Sequence, residues 1–148
     1  MRRIAATSMV AVALISGCGN GGGSGATTPD DGIEVAATAA PCDGLLEPAD
    51  PKAVLPADLP ALPGMTVYEK RLQGATAYYM AHRPGDDVVE VRDEAQALLA
   101  ADPAYSGLEA DAEPPAEAEL AFEGPHEGSV QVLPLCKGHV RIRYKLIK

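Results

Sequence analysis

The chain has no tryptophan and a single phenylalanine, Phe122, beside five tyrosines. A core short of large rings must be filled by Val, Leu, Ile and Ala, each of which removes less apolar surface from water. Positive charge is scarce as well. Twelve Lys and Arg stand against 21 Asp and Glu, a formal net charge of −9. That balance disfavours nucleic acid as a partner, because phosphates are bound with basic surface. It equally disfavours broad adhesion to anionic lipid. The longest apolar run, Ile4 to Ile15, spans 12 residues and includes Thr7 and Ser8. A bilayer-crossing helix takes roughly 18–20.

The signatures of catalysis are missing too. There is no G-x-S-x-G, no P-loop, no dinucleotide fingerprint and no internal repeat. After residue 17 the serines are Ser24, Ser106 and Ser129 alone. The histidines are His82, His126 and His139, none at a helix i,i+4 or short strand i,i+2 spacing with another ligand. No two cysteines form a CxxC. Neither a metal nor a cofactor is expected.

What is present begins at the N-terminus. A basic Met1-Arg2-Arg3 precedes the apolar run, which closes on Ile15-Ser16-Gly17-Cys18. This order resembles a bacterial lipoprotein signal peptide with its lipobox. The resemblance implies that residues 1–17 are a removed signal peptide and that Cys18 becomes a lipidated N-terminus. It also implies a membrane-anchored, exported chain. The family carries a diacylglycerol on the cysteine sulfur, and more than one acyl chain is what stable anchoring requires. Gly19, rather than Asp, follows Cys18, which implies release from inner-membrane retention in a bacterium with an outer membrane. In a GC-rich, actinobacterial-type organism, which the Ala/Gly/Pro-rich composition favours, the destination is the outer face of the cell membrane. Removing Arg2 and Arg3 leaves 10 basic and 21 acidic residues, a net −11.

With Cys18 assigned to lipid, two cysteines remain, Cys42 and Cys136. An oxidising, extracytoplasmic location favours a disulfide between them. By the chain-entropy argument, a loop of this size contributes about 4–5 kcal/mol. Two free thiols are the alternative.

Residues 18–41 are expected to be a tether. Gly19, Gly21, Gly22, Gly23 and Gly25 with Ser24 cannot bury enough surface to offset ordering entropy. Such a linker reaches about 25 Å on average. Residues 42–148 form one domain. It opens with a proline ladder, Pro48, Pro51, Pro56, Pro60 and Pro63, interleaved with Leu45, Leu46, Val54, Leu55, Leu59 and Leu62. Proline excludes helix there, so the segment is expected to lie extended with its leucines against the domain.

Two strands are predicted next, over 66–72 and 75–82, joined by a turn at Gln73-Gly74. Asp87 and Glu90 fit a capping box. Val88, Val91, Ala95, Leu98 and Leu99 make an apolar stripe at helical spacing, and Pro103 ends the helix. Tyr105 to Pro115 reads as an acidic connector. Strands follow over 117–123, 129–135 and 139–147, the last alternating most clearly: Val140, Ile142, Tyr144 and Leu146 in, Arg141, Arg143, Lys145 and Ile147 out. The fold class is therefore α+β. It is a small two-layer sandwich in the order β-β-α-β-β-β, an antiparallel sheet with one helix on one face.

This layout resembles the small exported lipoproteins of GC-rich bacteria. The features that carry the likeness are the lipobox, the Gly-rich tether, the Leu-Pro segment, the single helix, the Phe122-Glu123-Gly124-Pro125 hairpin and Cys136 in the terminal meander. The resemblance implies no catalytic residues.

Charge is unevenly distributed. Residues 86–127 hold 13 acids and one base, Arg92, whereas residues 128–148 hold five bases and no acid. Glu109, Asp111 and Glu113 alternate, but they lack the further donors and the glycine of a calcium loop. They read as a solvated face. Arg141, Arg143 and Lys145 form a basic stripe with two readings. They pair with Glu117, Glu119 and Glu123 if the two strands are neighbours, or they bind an anion. The functional expectation is a lipid-anchored, non-enzymatic binding or interaction module. Its partners are the membrane, through the anchor, and an envelope protein or anionic polymer. A small envelope hydrolase and a structural accessory of a membrane complex are the alternatives.

Overall fold

The computed structural model describes residues 40–147. The signal segment, Cys18 and nearly all of the tether lie outside the described residues. Strand β1 (Thr66–Gln73) and strand β2 (Thr76–Pro84) form an antiparallel hairpin. Its two-residue turn is Gly74-Ala75, one position later than the sequence pattern placed it. The reason is local. Gly74 takes φ +60 at the first turn position, where a side chain is strained and glycine is not.

Helix α1 (Val88–Ala100) starts where its cap dictates. Asp87 Oδ1 accepts from the Val89 and Glu90 amides at 2.8 and 3.2 Å, satisfying two of the amides a helix leaves open. Val88, Val91, Ala95 and Leu99 are buried along one face, with Arg92 buried beside them. Leu98 packs only partly against the core.

The chain then forms strand β3 (Ser106–Glu113), β4 (Glu117–Glu123), β5 (Glu127–Cys136) and β6 (His139–Ile147). Strand β3 corrects the expected order. The stretch taken for an acidic connector is a sixth strand, and the described order is β-β-α-β-β-β-β. Its residues have low strand propensity, and Gly107 and the acids mask it. Pairing with β4, including Ala110 opposite Leu120 and Ala112 opposite Ala118, overrides that local preference.

All neighbours are antiparallel, in the spatial order β1-β2-β6-β5-β4-β3. The last strand in the chain thus lies inside the sheet. One sheet face carries the core: Ala77, Tyr79 and Ala81 from β2, Val140, Ile142, Tyr144 and Leu146 from β6, Val130 and Val132 from β5, and Ala118, Leu120 and Phe122 from β4. Phe122 meets Tyr105 edge-on, 5.7 Å between ring centres. Helix α1 packs on β3, β4 and β5. Arg92 Nη1 donates to the Asp111 carbonyl of β3 at 2.9 Å, and Arg83 of β2 pairs with Glu94 of α1 at 2.7 Å.

The proline-rich segment supplies the rest of the cover. Leu59 and Leu62 are buried in the same core, and Tyr105 donates its hydroxyl to the Asp58 carbonyl. Leu45, Leu46 and Val54 stay exposed, so only part of the leucine ladder packs. Upstream, the Asp50 amide donates to the Val67 carbonyl of β1, and the Glu47 carbonyl meets His82 Nε2 at 2.8 Å. His82 shares its strand face with Met80 and Tyr78, opposite the core. The segment therefore passes around edge strand β1 from one sheet face to the other, shielding an edge that would otherwise be open to pairing.

Candidate functional site

Alternation along each strand puts a second set of side chains on the sheet face opposite α1. On β6 these are Arg141, Arg143 and Lys145. Their register partners on β2 are His82, Met80 and Tyr78, and on β5 they are Leu133, Gln131 and Ser129. No carboxylate stands opposite any of the three. The strand with Glu117, Glu119 and Glu123 is not a neighbour, because β5 lies between β4 and β6. The cross-strand ion pairs that neighbouring strands would have made are therefore not formed. Among the described residues none of the three bases has a salt bridge, and Arg141 Nε is buried without a hydrogen-bond partner.

The acids gather on the far side of β5. Asp111 lies opposite Glu119 and Glu113 opposite Glu117, like charges that repel one another. Glu117 is relieved in part by Gln131 Nε2 at 3.0 Å. Across its width, then, this face runs from two acidic strands through Ser129, Gln131 and Leu133 of β5, with Glu127 at the start of that strand, to a basic column on β6. Beside that column lies an open depression of about 380 Å³, lined by Glu69, Arg71, Gln73, Tyr78, Met80 and Arg143. Arg71 is paired with Glu69 at 2.7 Å on the rim.

The remaining polar groups are spread over the molecule. His126, in the β4–β5 loop, meets Asp58 at 2.9 Å, and this hydrogen bond is the main reason the Asp58 carboxyl titrates below its usual range. Neither Ser106 nor Ser129 hydrogen-bonds a histidine among the described residues.

A second cluster adds a histidine to the cysteine pair expected from the sequence. Cys42 and Cys136 come to disulfide distance, with Cα atoms 5.1 Å apart. His139 Nδ1 lies 3.5 Å from Cys42 Sγ. The His139 ring stands edge-on to His82, 6.3 Å away, and Tyr68 stacks on the other side of His82 at 5.8 Å. The legible signal was Cys136-Lys137-Gly138-His139, a C-x-x-H across a two-residue turn. The approach of Cys42 to Cys136, 94 residues away, follows the pairing expected from the cysteine count; the place of His139 beside them does not follow from it. Comparison with protein-family models, curated proteins and solved structures finds no match to this chain.

Proposed function

We propose that this chain is a lipid-anchored, extracytoplasmic, non-enzymatic binding module that docks a phosphate-bearing envelope polymer along β6. The observation that carries the reading is the basic column of Arg141, Arg143 and Lys145, which has no carboxylate opposite it on either neighbouring strand. Alternate residues on a strand stand about 6.6–6.8 Å apart. Three like charges at that spacing repel one another, and an anion laid along them relieves the repulsion. The two guanidinium forks suit bidentate contact with phosphate oxygens. The acidic strands β3 and β4 turn a polyanion away from the other half of the face, and the net charge of −11 left once Arg2 and Arg3 are removed opposes adhesion elsewhere. Binding is thereby confined to one column.

In this reading the fold is a two-layer sandwich. Helix α1 and the leucine segment form one layer, and the sheet face away from the helix is the ligand surface, with Arg143 and Lys145 its exposed bases. Cys42 and Cys136 are joined as a disulfide, and Cys18 carries the lipid that the order Ile15-Ser16-Gly17-Cys18 supports. The test is titration of the full chain with poly(glycerol phosphate), with neutral dextran as control. The wild-type chain is expected to bind the polyanion in a salt-sensitive manner. Arg143→Gln with Lys145→Gln should weaken binding at least tenfold. Equal binding by the variant, or no binding by the wild type, overturns the reading.

A further inference from the structure

We propose that Cys42, Cys136 and His139 form a site for a soft cation, Zn²⁺ or Cu⁺, when the two sulfurs are reduced, with the disulfide as the oxidised state that excludes the metal. The site uses none of the basic column and does not depend on the anion-binding reading. It rests on the cysteine pair.

The three ligand atoms lie within 4.8 Å of one another. Zinc binds sulfur at about 2.3 Å and imidazole nitrogen at about 2.0–2.1 Å, so two such ligands at the tetrahedral angle stand about 3.5 Å apart. His139 Nδ1 is 3.5 Å from Cys42 Sγ. That contact has the length of a ligand–ligand edge, and a disulfide does not require it. The donor set contains two sulfurs, one imidazole and no carboxylate, which selects zinc or cuprous copper over calcium or magnesium.

Contacts other than the bond between the sulfurs also hold the Cys42 segment beside the turn. The Lys137 amide donates to the Ala40 carbonyl at 2.9 Å, and the Leu45 amide to the Cys42 carbonyl at 3.0 Å. The contact of His82 with the Glu47 carbonyl fixes the same segment farther on. Cys136 and His139 are register partners across the Lys137-Gly138 turn, where Gly138 takes φ +78. Reduction therefore leaves backbone contacts that keep Cys42 beside the turn. Cys136 is buried, at 3 % exposure, while Cys42 is only half-buried. Water therefore reaches the cluster from the Cys42 side. The Lys137 carbonyl, 3.4 Å from Cys42 Sγ, can accept from the free thiol, whereas a disulfide sulfur has no proton to give.

The steps balance. A dithiol reductant passes two electrons and two protons to the Cys42–Cys136 bond, giving two thiols while the reductant closes its own disulfide. A divalent zinc ion then displaces one proton from each thiol, and His139 coordinates as neutral imidazole through Nδ1.

The test uses the full chain carrying Cys18→Ala, so that no third thiol competes. The chain is reduced, freed of reductant without oxygen, and titrated with Co²⁺. A 1:1 complex with a thiolate-to-cobalt charge-transfer band and tetrahedral d–d bands is expected, and Zn²⁺ should bleach both. The oxidised chain should show neither. His139→Ala should weaken cobalt binding at least tenfold, while His126→Ala should leave it unchanged. Absence of the charge-transfer band in the reduced chain overturns the proposal, whether or not circular dichroism shows the sheet intact. So does equal cobalt affinity in His139→Ala, or equal uptake by the oxidised chain.

Discussion

Tyr144 sits on β6 with its ring buried in the core. Its phenol is pushed up to about 12, by burial first, with the Leu62 backbone and the Arg83 charge opposing the shift. The Leu62 contact falls short of a well-formed hydrogen bond, so the hydroxyl lacks a full partner. The folded state keeps its proton where the unfolded chain, titrating near its ordinary value of 10, has lost it. Stability therefore falls as pH rises from about 10 to about 12, by about 2–3 kcal/mol in total. Below pH 9 the ionisation contributes nothing. Tyr144→Phe should flatten this alkaline decline in urea melts recorded between pH 8 and pH 11. A decline as steep as that of the wild type would show that another group causes it. Sequence alternation placed Tyr144 inside. It carried no sign that the hydroxyl would go without a partner, because that depends on where residue 62 comes to rest.

The elements differ in how openly the sequence declares them. Helix α1 was legible because Asp87, the apolar stripe and Pro103 all act within one or two turns. Strand β6 was legible because four apolar and three basic residues alternate without interruption. Strand β3 was not. Glu109, Asp111 and Glu113 show the period of a strand, but the small residues between them bury little, and only β4 supplies the pairing. The basic column was legible as three residues, whereas its isolation from the acids depends on strand order, which no local pattern encodes.

Strand β5 depends on a position of similar subtlety. Gly128 packs so closely on Lys145 that an added Cβ would run into its carbonyl. Gly128→Ala forces β5 and β6 apart and should cost about 1–3 kcal/mol, or more if the register cannot adjust. Chemical denaturation with a shared slope measures the loss. A variant as stable as the wild type would mean that the strands move apart freely.

For the whole molecule, the proposed address is the most accessible property to test. A Cys18→Ala precursor has no sulfur to lipidate and should move from the membrane pellet to the soluble fraction. Persistence in the pellet would place the attachment elsewhere. The basic sheet face and the cysteine–histidine cluster are likewise properties of the assembled domain. Each gathers residues from β2, β5, β6 or the proline-rich segment that lie tens of positions apart in the chain.

Strand β6 sets a condition on biosynthesis. Strands β1 and β2 can pair as soon as they are made, and β3, β4 and β5 can follow as a meander. The two groups have no common border until β6 enters between them. A nascent chain that has delivered every strand but this one holds two half-sheets, each with an open inner edge. Those edges are templates for wrong pairing. The chain thus gains its hydrogen-bonded centre, its basic column and His139 in a single late step, and it must be kept from its neighbours until that strand emerges.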